Sequence, residues 1–526
     1  MEAIRIMISN PRPALVVLVA VPCLTTIIWW TISYLAFPLR KYPGPFRADW
    51  TNWWRFFLVR SGSYHLAIKK LHDNRGPVVR IGPNTLDIDY PELSKTFYGT
   101  DGKWKKTEFY QNNSAIVNGE ITYHIFSEIN QENHARMKRP IAQYYTASSV
   151  SALEPLTDKV LREFCGHLET RFMGDKEGKP FDFGEWISFC SWDISGAAPF
   201  SRQFGYMDQG RDYDHTISIA DVSLDYLTEI GPQFRRRWSD SPPRLPPGQE
   251  PGDARRPAPP EQPDPHRPGA PHRPPARPRP GLRPQRARFP AALHRNQAEE
   301  SRAGRRRRHR RLPADQPPGG RRHDRHHPAR HLLPRLARAP GLPPAAGRRN
   351  PRGRPRDRRA DVPAFVACRK LPYLEAVIRE ATRVHPGVCM LLGRFVPAGV
   401  AVGINPYVAG RNQGVWGDDP DTYRPERWLR GHAPGAPDET EDEYKQQLRR
   451  FNVADLAFGG GSHICIGRNL ALLETYKVVA TIVKGYHVEL EDPAREWKVT
   501  DSWFTRQEGL RCRMRLRSGQ TPKSAS

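Results

Sequence analysis

Phe458-Gly459-Gly460-Gly461-Ser462-His463-Ile464-Cys465-Ile466-Gly467, near the end of a 526-residue chain, is the stretch whose reading decides the fold. A phenylalanine, a run of glycines, one histidine and one cysteine lead directly into an apolar helical pattern from about Asn469 to Ala480. Glycines let a backbone approach a flat cofactor with no Cβ in the way. The N–H groups that open the following helix favour a thiolate over a thiol. A cysteine thiolate on iron is the axial ligand that promotes O–O cleavage. Taken singly, Cys465 reads equally as a buried structural cysteine after a glycine-rich turn.

The whole loop resembles the haem-ligand signature of the cytochrome P-450 monooxygenases, F-x-x-G-x-[R/H]-x-C-x-G, at every fixed position: Phe458, Gly461, His463, Cys465 and Gly467. The resemblance implies that Cys465 is the metal ligand and that His463 donates to a haem propionate. Upstream, Leu374, Val377, Ile378, Ala381 and Val384 recur at helical spacing, and Pro386 stops the helix. Glu380 and Arg383 share one face of it. Alone they read as a surface ion pair worth little. They resemble the family's E-x-x-R helix, and Tyr423-Arg424-Pro425-Glu426-Arg427-Trp428 resembles its P-E-R-[F/W] element. Together these imply a buried network of Glu380, Arg383 and Arg427 that holds the haem-ligand loop, in which loss of one member leaves an unpaired charge.

Residues Ala14 to Phe37 carry no charge and are long enough to span a bilayer core as a helix. A transmembrane anchor is expected there, because the stretch is long for a signal peptide and has no small-residue cleavage site. Tyr42-Pro43-Gly44-Pro45 resembles the proline hinge of microsomal members, which implies a single-pass anchor in the endoplasmic-reticulum membrane with a cytosolic catalytic part. Two short apolar runs around Gly82-Pro83-Asn84 signal a hairpin over Pro77 to Ile88. His134-Ala135-Arg136-Met137-Lys138-Arg139-Pro140-Ile141 resembles the family's helix at the haem edge. His134 and Lys138 stand where many members carry Trp and Arg, and both can donate to a propionate. As residues alone they also read as a solvated basic face.

Between Ser241 and Ala360 lie 31 arginines, 28 prolines and 9 acidic residues, with no Lys, Ile, Val, Met, Thr, Tyr, Trp or Cys. This window holds +22 of the chain's +26, so the remainder is only +4. The composition is that of a disordered linker, and Arg305-Arg306-Arg307-Arg308 could bind phosphates without sequence specificity. Arginine without lysine is also what a GC-rich gene yields out of frame. Starting each codon of Gly319 to His327 one nucleotide later, with CGN for arginine, permits Ala-Gly-x-Asp-Thr-Thr-Ala. That resembles the family's oxygen-activating motif, A-G-x-[D/E]-T-[T/S], and lies upstream of the E-x-x-R helix as in the family. As written, the chain has no such acid–threonine pair. No catalytic residue is identifiable, and the distal wall of the pocket is not expected to form. Leu391-Leu392-Gly393-Arg394-Phe395-Val396-Pro397 is also shorter than the family's pattern, so Arg394 is not assigned to the haem.

The expected fold is mainly α with small β-sheets, the cytochrome P-450 fold, preceded by a transmembrane helix. The expected organisation is an anchor at 1–38, an N-terminal monooxygenase part at 39–235, the Arg/Pro-rich segment at 236–361 and a haem-binding part at 362–526. The resemblance covers about 40–235 and 362–515, nearest in outline to the fungal pisatin demethylase and trichothecene oxygenase group. It implies haem (iron protoporphyrin IX), a membrane, an NADPH-cytochrome reductase and insertion of one oxygen atom into an apolar small molecule of secondary metabolism. A haem-thiolate isomerase or dehydratase, working without reductase, is a second reading. A non-enzymatic, membrane-tethered arginine-rich binder is a third. No specific nucleic-acid partner is expected. Seven cysteines without paired spacing suit a reducing location.

Overall fold

The computed structural model describes residues 38–99, 104–173, 178–230, 362–388, 394–395, 400–431, 439–495 and 497–517, with helical stretches at 20–21, 23–28 and 31–32. The chain divides into two units, Met1–Arg235 with Arg322–Ser526, and Arg236–Arg321. Residues 231–361, which include the whole second unit, the Arg/Pro-rich segment and the codons read out of frame at 319–327, lie outside the described residues.

The longer helices of the first unit are α1 (Trp53–Arg60), α2 (Tyr64–Arg75), α3 (Gln131–Ala142), α4 (Glu154–Phe172), α5 (Phe183–Phe200), α6 (Thr216–Ile230), α7 (Pro372–Val384), α8 (Glu441–Ala454) and α9 (Arg468–Gly485). Local chemistry sets their ends. Asn130 caps α3 by accepting from the N–H groups of Glu132 and Asn133. Asp182 does the same for α5. Thr440 and Glu443 form a reciprocal capping box on α8. In α7, Pro372 opens the first turn and the helix ends at Val384, short of Pro386.

The strands of the two larger sheets are short: β1 (Val78–Gly82), β2 (Thr85–Ile88), β3 (Lys105–Lys106), β4 (Phe181–Asp182), β5 (Arg394–Phe395), β6 (Ala401–Gly403), β7 (Tyr486–Leu490) and β8 (Arg511–Leu516). The expected hairpin is present as the antiparallel pair β1–β2, with Val78 opposite Ile88. β2 continues in parallel to β6, and the sheet runs β1-β2-β6-β5-β3. A second sheet runs β4-β8-β7. Both join strands from before and after the Arg/Pro-rich segment, so neither half can complete them alone.

The largest core has the same character. Val160, Leu161, Phe164 and Leu168 of α4 and Trp186, Phe189 and Ile194 of α5 pack with Ile482 of α9, Tyr486 and Met514. Each such side chain contributes about 1.5–3 kcal/mol on burial. Beside it, Lys477 of α9 is fully buried, with its ammonium 2.5 Å from Glu154 and 2.6 Å from Asp158 on α4. It also donates to the Pro363 carbonyl at 2.8 Å. Glu154 accepts the Phe365 N–H at 2.6 Å. These contacts fix the point where the described chain resumes at 362 onto the N-terminal helices.

The mainly helical fold with small sheets agrees with expectation; the transmembrane helix does not. Most of the predicted span 14–37 lies outside the described residues, and among the described residues no helix is long and apolar enough to cross a membrane. Such a crossing needs roughly 20 consecutive apolar residues in one helix. The single-pass anchor, the membrane partner and the endoplasmic-reticulum placement deduced from that span are corrected accordingly. The Tyr42–Pro45 stretch, which resembles the proline hinge, is packed on β1. The Pro43 carbonyl accepts the Arg80 N–H at 2.8 Å, and a Cβ on Gly44 would collide with the Arg80 carbonyl.

Candidate cofactor-binding site

The cysteine loop runs from the end of α8 to the start of α9. It turns through Gly459 at φ +74° and Gly461 at φ +54°, left-handed backbone that glycine adopts freely. A Cβ on Gly461 would collide with the Tyr98 carbonyl. The Ser462 N–H donates to that same carbonyl at 3.0 Å. Glycine is therefore required here by close packing as well as by φ. The Cys465 N–H donates to the Phe458 carbonyl at 2.8 Å, which closes the loop. The first N–H of α9, that of Arg468, donates to the Cys465 carbonyl at 3.3 Å. A Cβ on Gly467 would sit 3.8 Å from Cys465 Sγ, so the absence of one leaves the sulfur clear on that side.

The thiol of Cys465 is exposed. Cys165, Cys190, Cys368 and Cys512 are buried. Burial pushes the Cys165 thiol up to about 11 and that of Cys512 up to about 12. Those four behave as small apolar side chains, whereas Cys465 is open to a ligand. Phe458 is half-buried, and the Arg468 guanidinium lies 6.0 Å from its ring centroid.

Helix α3 lies along the loop. His134 is buried, with its ring centroid 5.0 Å from that of His463. One turn further, Lys138 Nζ donates to the Ser462 carbonyl at 3.0 Å and to the Ile464 carbonyl at 3.3 Å. Burial lowers the Lys138 pKa, and Cys465 opposes that shift. Beyond α3, the Tyr145 carbonyl accepts from Asn469 Nδ2 in the first turn of α9 at 2.7 Å. The structure thus brings Phe458, Gly461, His463, Cys465, Gly467, His134 and Lys138 into one place.

Glu380, Arg383 and Arg427 meet in the interior, all three buried. Arg383 Nε and Nη2 each lie 2.8 Å from a Glu380 oxygen. Arg427 Nε donates to Glu380 Oε1 at 2.9 Å. The Arg424 N–H and Trp428 Nε1 complete the carboxylate at 2.8 and 2.9 Å. The guanidiniums also hold peptide carbonyls: Arg383 those of Gly410, Pro420 and Thr422, and Arg427 those of Trp416, Asp419 and Thr422. Burial alone would raise the Glu380 carboxyl, but the two arginines outweigh it and hold the group below its usual range. A cavity of about 830 Å³ separates this helix from the loop, and Arg379, Arg449, Arg468 and Lys95 stand on its walls.

An open thiol at a glycine turn with no room for a side chain, beside two imidazoles and an ammonium suited to carboxylates, fits a haem. Sequence spacing missed three features: the Tyr98 brace, the Lys138 bonds to the loop backbone and the Lys477 clamp. Only Lys477 carried a signal, a lysine inside the apolar pattern of Leu473, Tyr476, Ala480 and Val483. Arg394 lies on β5, while 391–393 and 396–399 are outside the described residues.

The family described as cytochrome P-450 matches residues 355–510. The chain is similar to the cytochrome P-450 monooxygenase cfoH of Aspergillus candidus, at 34% identity over 95% of this chain and 93% of that protein. A cytochrome P-450 monooxygenase of Aspergillus terreus is 30% identical over 90% of the chain and 94% of its own length. The cytochrome P-450 monooxygenase cicH of Emericella nidulans is 27% identical over 92% and 95%.

Proposed function

The chain belongs to the cytochrome P-450 family, and on that premise we propose that it is a haem-thiolate monooxygenase of fungal secondary metabolism with Cys465 as the iron ligand. The observation that carries this reading is the exposed Cys465 thiol on a loop whose Gly461 has no room for a Cβ. When bound, haem supplies the oxygen activation that inserts one oxygen atom into an apolar small molecule. The protein's share is to hold the thiolate, shape the loop and neutralise the propionates. His463 and His134 are proposed for the propionates, and the Glu380–Arg383–Arg427 network for keeping the loop in register with α7. Lys95, Arg369, Arg379, Arg449 and Arg468 outnumber Glu375 and Asp455 around the cavity beside the loop, a balance that supports an acidic partner surface such as an NADPH-cytochrome reductase would offer. The pisatin demethylase and trichothecene oxygenase group is kept as the proposed subgroup on the resemblance of the sequence motifs alone.

No residue of the chain as written is assigned to proton delivery. The sequence of the spliced transcript across the codons for Phe234 to Ala364 decides that point. A transcript encoding Ala-Gly-x-Asp-Thr-Thr supplies the acid–threonine pair; one encoding the arginine run as written removes turnover from the proposal. Haem ligation is tested separately by loading the full chain with haemin and recording the reduced carbon monoxide spectrum. Wild type should give the thiolate signature and Cys465→Ser should lose it. A wild-type protein that binds no haem would overturn the proposal.

A further inference from the structure

We infer that Lys138 is a positioning residue for the Cys465 loop itself, a role distinct from any contact with the cofactor. Residues Gly461–His463 form a single 3-10 turn, irregular backbone whose carbonyls have no regular ladder to join. The Lys138 ammonium takes up the Ser462 carbonyl of this turn and the Ile464 carbonyl that follows it, on either side of His463 and just before Cys465. The Ser462 peptide is then held at both ends, its N–H by Tyr98 and its carbonyl by Lys138. The Ile464 peptide is held likewise, its N–H by the Gly461 carbonyl at 3.3 Å and its carbonyl by Lys138.

The same stretch of chain grips the far side of the cysteine through the Tyr145 carbonyl and Asn469. Lys138 and Tyr145 therefore bracket Cys465 from before and after. An ammonium has three donors, so two spent on loop carbonyls still leave one for an anion. Its consequence, a fixed iron ligand, rests on the haem-thiolate reading, but the hydrogen bonds exist without the cofactor.

The test is amide hydrogen exchange by mass spectrometry on the full chain, with and without haemin, in Lys138→Met and Lys138→Arg. Charge-assisted bonds to the loop set an expected acceleration of about 10-fold over 459–467 in Lys138→Met in both forms. The β1–β2 peptide over 78–88 should be unchanged, and Lys138→Arg should recover slow exchange. Three results would each overturn the inference: no acceleration, acceleration only with haemin, or uniform acceleration that includes 78–88. A wild type that fails to bind haem would instead remove the proposed function, leaving the exchange result to stand.

Discussion

Glu380→Gln tests the buried network at constant volume. The carboxylate accepts five hydrogen bonds, three at Oε1 (from Arg383 Nη2, Arg427 Nε and the Arg424 N–H) and two at Oε2 (from Arg383 Nε and Trp428 Nε1). The least damaging placement of the new amide puts its NH₂ at the Oε2 side. Two bonds become donor facing donor, and two guanidiniums with almost no exposure lose their counter-charge. Removing one partner from a buried ion pair costs about 3–5 kcal/mol, a large share of the ~5–15 kcal/mol that holds a typical protein folded. At a slope of roughly 3 kcal/mol per molar urea, the midpoint should fall by about 1–1.7 M. Tryptophan fluorescence reports it locally, since Trp416 and Trp428 pack 5.4 Å apart beside the network. Because the folded Glu380 pKa is depressed, its stabilisation is present above the unfolded value of ~4.3 and is lost as pH falls through the lower folded value. Wild type should show that acid limb and Glu380→Gln should lack it. A midpoint shift below about 0.3 M, equivalent to under ~1 kcal/mol, would mean that these charges do not carry the loop.

Gly461→Ala places a Cβ against the Tyr98 carbonyl at φ +54°, so the loop must move; haem titration should show affinity weaker by at least ~10-fold, since one misplaced ligand easily costs 1.4 kcal/mol. Lys477→Met removes the buried cation between α4 and α9 and leaves Glu154 and Asp158 facing each other. Thermal unfolding should show a loss of about 2–3 kcal/mol at pH 7; an unchanged midpoint would reduce the clamp to a bystander. That loss should shrink as pH falls to about 3, because the Glu154 pKa, raised by burial but lowered more by Lys477 and the Phe365 N–H, is depressed overall; its contribution is present above the unfolded value of ~4.3 and is lost as pH falls through the lower folded value. Glu474 is the opposite case, pushed up to about 7 by burial alone. Its contribution is full below the unfolded value of ~4.3 and is lost as pH rises through about 7. Glu474→Gln should therefore exceed wild type by roughly 3 kcal/mol at pH 8 and by about 1 kcal/mol at pH 5; equal urea midpoints at both would refute this.

The features legible in the sequence are those that neighbouring residues decide. Pro372 and Pro386 bracket α7 because one opens a helix and the other cannot continue it. The Gly82-Pro83-Asn84 turn sets the β1–β2 hairpin, and the glycines of 459–461 mark a tight turn before a thiol on sight. The type of each member of the Glu380 network was legible too, though whether three charges lie on a surface or at 0–4% exposure is a tertiary matter. Charge-free length suggested a membrane span at 14–37, yet among the described residues no helix meets the length and hydropathy that a crossing needs. Likeness to a hinge marked Tyr42–Pro45, but only the fold shows that the backbone of β1 holds it, through the Arg80 N–H on the Pro43 carbonyl.

What only the tertiary structure decided is who braces the cysteine loop. Tyr98 and Lys138 act on Ser462 from more than 300 positions away, and Lys477 reaches back as far to Glu154. Spacing along the chain determines which residues share a helix face or a turn, because those geometries repeat every few residues. It says nothing about which carbonyl a distant ammonium will meet, because that depends on how whole helices pack over a common core.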